Sequence, residues 1–295
     1  MGAGAVGCYF GARLARSGHD VTLIARPTHV EAIAQHGLIF ESGGTQDHIP
    51  IKATTEVSGV TGADVVLFCV KSTDTEPAGR SIAPHLKPDA TVLCLQNGVD
   101  NPERLQPLIE PIAVPAAVYV AVEMAGPGHV RHHGRGDLTI GASPASADIA
   151  KQFGAAAIQT VVSDHVIDTL WTKLTTNCAY NALSAVAELP YGPMLAVEGT
   201  ADLIRIVVDE CVTVSRALGV SLPRDIADTV LALADTMPRQ YSSTAQDLAR
   251  GKPSEIDYLN GYVVRKGAEL GIPTPANLAL RVMVKLREAS RQQDG

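Results

Sequence analysis

Aromatic residues are scarce in this chain, at 4% of 295 with a single tryptophan, so its core has to be assembled from Ala, Val, Leu and Ile. Those are the materials of buried parallel strands and close-packed helices. Positive charge is also short: 24 Lys and Arg against 31 Asp and Glu leave −7, with a pI near 5.7. No global positive field exists to hold a nucleic-acid backbone, and nucleic acid is excluded as a partner. Long apolar runs are missing as well. The longest, residues 112–122, is broken by Pro115 and falls far below the roughly 18 residues of a membrane span, so no membrane association is expected. No basic segment followed by an apolar one opens the chain as a secretory leader would. The five cysteines, Cys8, Cys69, Cys94, Cys178 and Cys211, are odd in number and have no CxxC spacing. They read as buried thiols in a reducing cytoplasm; a catalytic cysteine is the sharper alternative, but Cys69 and Cys94 lie within strand-like apolar runs, where a thiol packs.

What is present is the composition of a chain that buries much of itself, with 46% hydrophobic and 19% charged residues and a mean hydropathy of +0.12. The length favours two domains. In the first half, strand and helix signals alternate: helix over 5–17, strand over 21–25, helix over 28–35, strand over 64–70, helix through 83, and strand over 91–95. Such alternation predicts right-handed crossovers and a parallel, doubly wound α/β sheet. Residues 37–51 and 114–140 read as further strands of a mixed sheet, with a turn at Gly126-Pro127-Gly128. Beyond about Asp164, apolar residues recur at helical spacing over 166–187, 197–218, 223–236 and 255–270. The expected architecture is therefore a Rossmann-type domain over 1–163 followed by an all-helical domain over 164–295, and residues 290–295 are expected to fray.

Gly2-Ala3-Gly4-Ala5-Val6-Gly7 matches G-x-G-x-x-G at the start of a helix, and a strand follows at the spacing of a βαβ unit. In such a turn the first Gly permits the bend, the second lets a pyrophosphate approach the backbone, and the third lets the helix pack closely. Helix N-terminal amides then face the phosphates. Where an NAD site usually carries Asp or Glu after the second strand, this chain has Arg26, and a guanidinium suits the 2′-phosphate of NADP(H). The alternative reading of Arg26 is an ordinary surface arginine. The chain begins inside this turn. The expectation is either a short strand upstream of it in the natural chain or a sheet with an unfilled central place.

Two strand ends carry polar residues, Val70-Lys71 and Gln96-Asn97-Gly98, at the carboxyl edge where open α/β sheets bind ligands. Taken alone, Asn97-Gly98 is equally a simple turn. In the helical half Lys173, Asn177 and Asn181 are spaced i, i+4, i+8 on one helix face. A solvated surface face would be the bland explanation of that row. Ser242-Ser243 and Ser254-Glu255 follow, the second pair being also a plain helix cap. His132-His133 is not read as a metal site, because neighbours on a strand point to opposite faces.

Taken together these motifs resemble the ketopantoate reductase (2-dehydropantoate 2-reductase) family over nearly the whole chain. The motifs are G-A-G-A-V-G, Arg26, Val70-Lys71, Q-N-G from Gln96, W-x-K-L-x-x-N from Trp171, S-S-x-x-Q-D from Ser242, E-I-D-Y-x-N-G from Glu255, and Ile272-Pro273-Thr274-Pro275 with Asn277. The resemblance implies NADPH-dependent reduction of a 2-oxo acid to a 2-hydroxy acid in pantothenate synthesis, with the site between the two domains and no metal. It implies Lys173 as general acid, with Glu255 contacting substrate, lysine and cofactor. Asn97, Asn177, Asn181 and Ser243 would bind substrate. Gly2, Ala3, Gly4, Ala5, Val6, Gly7, Arg26, Lys71, Asn97 and Glu255 would bind NADP(H). One departure is Tyr191 in Pro190-Tyr191-Gly192, where the family often has a substrate-facing Asn. Either the pocket takes another 2-oxo acid or the tyrosine side chain turns outward. The alternatives to the pantoate reaction are a paralogous NADPH-dependent reductase of another 2-oxo acid and a nucleotide-binding regulator without turnover. A homodimer is the expected assembly.

Overall fold

The structure, a computed structural model, describes residues 1–293 and falls into two compact units, Met1–Val166 and Ile167–Gly295. In the first unit the elements run α1 (Ala5–Arg16), β1 (Thr22–Ile24), α2 (Pro27–His36), β2 (Leu38–Ser42), β3 (Thr45–Ile49), β4 (Lys52–Thr54), β5 (Val65–Phe68), α3 (Thr75–Ile82), β6 (Thr91–Cys94), α4 (Asn101–Leu105), β7 (Ile112–Gly126), β8 (His129–Gly141), α5 (Ser146–Ala155) and β9 (Thr160–Ser163). The second contains α6 (Val166–Ala187, which begins at the boundary), α7 (Tyr191–Leu195), α8 (Thr200–Ala217), α9 (Ile226–Thr236), α10 (Ser243–Ala249), α11 (Asn260–Leu270) and α12 (Pro275–Gln293).

The uninterrupted apolar run of β6 is buried at all four residues and is paired in parallel with β5 on one side and β7 on the other. A strand covered on both faces needs no polar alternation, which explains its sequence. Beyond β7 the sheet becomes mixed. β8 returns antiparallel, and its free edge is shared lengthwise by β2 near its start and β9 near its end, both parallel to it. The order is β3-β2-β8-β7-β6-β5, with β9 off that path on β8. The long hairpin arms β7 and β8 slip register at three places, and Arg135 adopts the left-handed region at φ 58°. Such bulges bend and twist a ribbon.

The doubly wound Rossmann-type sheet is present, with residues 1–3 standing between β1 and β5. β1 pairs only with β4 in a two-stranded parallel ribbon, apart from the seven-stranded sheet. Residues 1–3 lie between them: Met1 exchanges backbone bonds with Leu67 and Cys69, while the amides of Gly2 and Ala3 both donate to Ile24 O. Helix α1 packs tightly through its small residues. A side chain at Gly11 would meet Leu23 at 2.8 Å.

In the second unit α6 is the buried axis, with Trp171, Leu174, Cys178 and Tyr180 each at most 1% exposed. Helices α7, α8 and α9 close an apolar cluster around Tyr180, Tyr191, Ile204 and Val230. The expected fraying of the tail is corrected. α12 is helical through Gln293, held by Arg291, which donates to Leu248 O and pairs with Glu188. Asp294 and Gly295 lie outside the described residues. The helix over 275–293, like α5 and β9, carries no expectation from the sequence.

Candidate active site

The glycine turn divides its work among its three glycines. Gly2 sits at φ +81°, where a side chain would strike the Val70 backbone at 2.6 Å, and one on Gly7 would strike Gly2 O at 2.8 Å. Both are confined by packing. Gly4 is exposed and has nothing within 4 Å of where its Cβ would lie. The first bond inside α1 runs from Cys8 N to Gly4 O, so the amides of Ala5, Val6 and Gly7 have no helical acceptor, and no side chain caps them. An open Gly above three outward amides is the donor set a pyrophosphate needs, and the first turn of α1 contains no acid to oppose it. Ala3 is buried, and its amide, like that of Gly2, is already bound to Ile24 O, so these two residues can shape such a site but offer it no free backbone N–H. Arg26 is exposed where β1 gives way to α2. The residues present thus fit an NADP-type dinucleotide.

Lys71 is exposed after β5, and Asn97 is half-buried after β6, with Gly98 at φ +97° turning the chain. Beneath them lies a buried polar cluster of which the sequence singled out only Gln96, made of Ser72, Thr75, Gln96 and Asn101 with Arg104 at its edge. Arg104 holds Glu76 in a two-pronged pair at 2.7 and 2.8 Å, and its hydrogen bonds keep that carboxyl below the usual range.

In the second unit, Lys173, Asn177 and Asn181 stand on successive turns of α6, the first two half-buried and the third 2% exposed. Asn181 Nδ2 reaches Ser243 Oγ at 3.4 Å. That meeting is engineered by the residue before it: Ser242 Oγ caps α10 by accepting from Ala245 N at 3.0 Å and donates to Asn181 O at 3.1 Å. Ser242 N in turn donates to Ser184 Oγ at 3.2 Å. Glu255 is buried at 7% exposure in the segment before α11. Next to it, Ser254 N donates to Glu288 on α12 at 2.8 Å. Asn260 and Asn277, also unremarked as site residues in the sequence, are fully buried. Asn260 Nδ2 donates to Cys178 O on α6 and to Asn277 Oδ1, each at 3.0 Å. Asn277 is anchored by Glu210 at 2.7 Å.

Tyr191 turns into the helical core. It is 8% exposed, and its ring centroid lies 4.5 Å from that of Tyr180. Burial raises both phenols, Tyr180 to about 12. The backbone of the same turn is bolted to the segment leading into Ser242, with Tyr191 N and Gly192 N donating to Gln240 O and Pro238 O. His132 and His133 have different partners: His132 lies against Ser42 Oγ at 3.1 Å, and His133 against Glu123 at 3.2 Å. Among the described residues no three His, Cys, Asp or Glu side chains are grouped to hold a metal, and no helix is long and apolar enough to cross a membrane.

Comparison with known proteins covers both units. Residues 1–145 match the family described as ketopantoate reductase PanE/ApbA, and residues 165–288 match its C-terminal counterpart. The chain is 32% identical to a 2-dehydropantoate 2-reductase of Pyrococcus horikoshii over 98% of its own length and 96% of the relative's. It is 34% identical to one of Caulobacter vibrioides over 94% of each. A solved PanE/ApbA family ketopantoate reductase from Ralstonia eutropha JMP134 superposes with a TM-score of 0.97 at 54% identity, covering 99% of this chain and 98% of that one.

Proposed function

The chain belongs to the ketopantoate reductase family, and from that premise we propose that it reduces 2-dehydropantoate to (R)-pantoate with NADPH, in the synthesis of pantothenate. A small 2-oxo acid is the substrate class that fits the family. The observation that carries this reading is the row Lys173, Asn177 and Asn181 on successive turns of α6, whose last member, Asn181, reaches Ser243 Oγ at 3.4 Å. A cation and two amides on one face of a helix form a polar row suited to a substrate carboxylate and carbonyl.

When bound, the nicotinamide supplies the hydride. The protein's part is charge and proton management at the carbonyl oxygen, where negative charge grows as hydride arrives. Lys173 donates the proton to that oxygen and Glu255 orients the ammonium and the substrate. Ser243 takes the substrate carboxylate, and Asn177 and Asn181 take its hydroxyl and carbonyl oxygens. On the cofactor side, the amides of Ala5, Val6 and Gly7 with the open face of Gly4 hold the pyrophosphate, Gly2 and Ala3 shape the turn, and Arg26 grips the 2′-phosphate. Lys71 and Asn97 serve the nicotinamide end. Residues 1–163 are thus read as the NADP-binding domain and 164–295 as the substrate and catalytic domain. Tyr191 packs on Tyr180, and the substrate panel decides whether the absence of the family's Asn changes the preferred 2-oxo acid.

The test is NADPH oxidation with 2-dehydropantoate and a panel of other 2-oxo acids, in the wild type and in Lys173→Ala. General acid catalysis contributes about 10²–10⁴-fold, so the variant should lose kcat on that order and keep its affinity for NADPH. A better substrate elsewhere in the panel would transfer the activity to a paralogous reductase. NADPH binding with no turnover on any acid would indicate a regulator, and unchanged kcat in Lys173→Ala would refute the assigned acid. A cytoplasmic location is supported by five free cysteines, four of them buried. A homodimer is supported by exposed apolar residues along α12.

A further inference from the structure

We propose that Asn101 is a positioning residue for the reduction, fixing the Asn97–Gly98 peptide and joining the loops after β5 and β6 into one rigid platform. The inference rests on the reading above that Lys71 and Asn97 serve the nicotinamide end of the site.

A peptide between Asn97 and Gly98 is easily rotated, because Gly98 at φ +97° has no side chain to oppose the turn. Here its carbonyl is pinned twice, by Asn101 Nδ2 at 2.7 Å and by Ser72 Oγ at 2.9 Å. Ser72 is the neighbour of Lys71, so one hydroxyl ties the two loops together. Asn101 uses its whole hydrogen-bonding capacity in doing this. Its other N–H contact goes to Ser72 Oγ at 3.3 Å, and its Oδ1 accepts from Thr75 Oγ1 at 2.9 Å and Arg104 Nη1 at 3.4 Å. The direction of the chain of bonds is set by Gln96, whose Nε2 donates to Thr75 Oγ1 at 2.7 Å and leaves the threonine proton for Asn101. Arg104 closes the assembly by donating to Ser72 O at 2.8 Å. An amide bonded on all four sides, in a residue 1% exposed, has one orientation. With ψ of Asn97 fixed from behind, its Cα–Cβ direction is fixed as well.

Asn101→Asp keeps the shape and the acceptor toward Thr75 and Arg104 but puts an oxygen against Asn97 O, and it draws the Ser72 proton to itself. A misplacement of about 1 Å costs up to about 10²-fold in rate, so the expected result is a kcat on 2-dehydropantoate lowered by about 10-fold or more, with the Kd for NADPH raised by less than that factor, since only the nicotinamide end is disturbed. Ser72→Ala removes one of the two bonds to the carbonyl and should give a smaller loss in the same direction. It becomes the deciding variant if Asn101→Asp fails to bind NADPH or to fold. In a double-mutant cycle, Asn101→Asp should add almost nothing to Asn97→Ala, since the first acts through the second. Multiplying losses would mean a merely structural role and overturn the proposal, as would wild-type kcat in both Asn101→Asp and Ser72→Ala. Wild-type turnover in Asn97→Ala would also overturn it while leaving the reductase reading standing, because that reading is judged separately by Lys173→Ala.

Discussion

In the reading proposed above, cofactor choice turns on Arg26. It stands exposed at the end of β1, in the place where an acid would hold a ribose 2′-hydroxyl, and it is the N-cap residue of α2 without capping that helix through its side chain. Its guanidinium is thus not needed to satisfy the helix. A charge-assisted hydrogen bond contributes about 1.5–3 kcal/mol, so Arg26→Ala should raise KM for NADPH by about 10–100-fold and leave KM for NADH where it was. Steady-state kinetics with both cofactors check this, and an unchanged KM ratio would return Arg26 to an ordinary surface role. The cysteines illustrate the opposite case, in which burial removes reactivity. Desolvation pushes the thiols of Cys8 and Cys94 up to about 12 and that of Cys69 to about 11. They remain protonated at neutral pH, as packed thiols should. At this scale Lys173 and Arg26 were singled out by a charge in a helix row and at a strand end, and Ser242 and Asn260 by the motifs that contain them. Asn101 was not, because a buried amide declares its purpose only through the partners that folding brings to it.

Among the elements, the junction of β2 with β8 is held by more than its ladder. Glu41 on β2 lies 2.7 Å from Arg131 Nε and 2.8 Å from His129 Nε2, both on β8. The hydrogen bond from Arg131 is the main reason its carboxyl is held at about 2 against an ordinary 4.5. A depressed carboxylate favours the folded state while it stays ionised. Its contribution is therefore complete above about pH 4.5 and lost as the pH falls toward 2. Glu41→Gln should lower Tm at pH 7, and the gap to the wild type should close as thermal unfolding is repeated down to pH 2.5. A constant gap would assign the effect to packing instead. The strands and helices of this region were readable from apolar periodicity, since β6 and α6 each bury a run that fits only one geometry. Helix α12 escaped notice because its apolar residues are divided between a buried row at Leu280 and Val284 and an exposed one, which blurs the period. The sequence left open whether Tyr191 changes the pocket or turns outward, and the structure packs its ring into the helical core.

For the molecule as a whole, the change from alternating strand and helix to continuous helix near residue 164 coincides with a division into units after Val166. Composition shows such a boundary because a sheet covered by helices and a bundle of helices draw on different apolar patterns. The splitting of the sheet into a ribbon and a seven-stranded part depends on backbone pairing around residues 1–3, which side-chain pattern cannot report. One whole-molecule property still asks for a cause, the apolar row left outside on α12. Leu278, Val282 and Leu286, at the i, i+4, i+8 spacing of a helix face, are 44%, 44% and 65% exposed, and Met283, three residues before Leu286, is 45% exposed. A contiguous apolar stripe of this kind is what a monomer avoids and a two-fold interface uses, because the same helix can meet its copy across the axis. The protein should therefore sediment at twice its 30.9 kDa chain mass. Leu286→Lys places two like charges across that axis and should return it to the single-chain mass without altering Tm at low protein concentration. Wild-type protein sedimenting as a single chain at micromolar concentration would remove the homodimer from the proposed assembly and leave the stripe for a different surface.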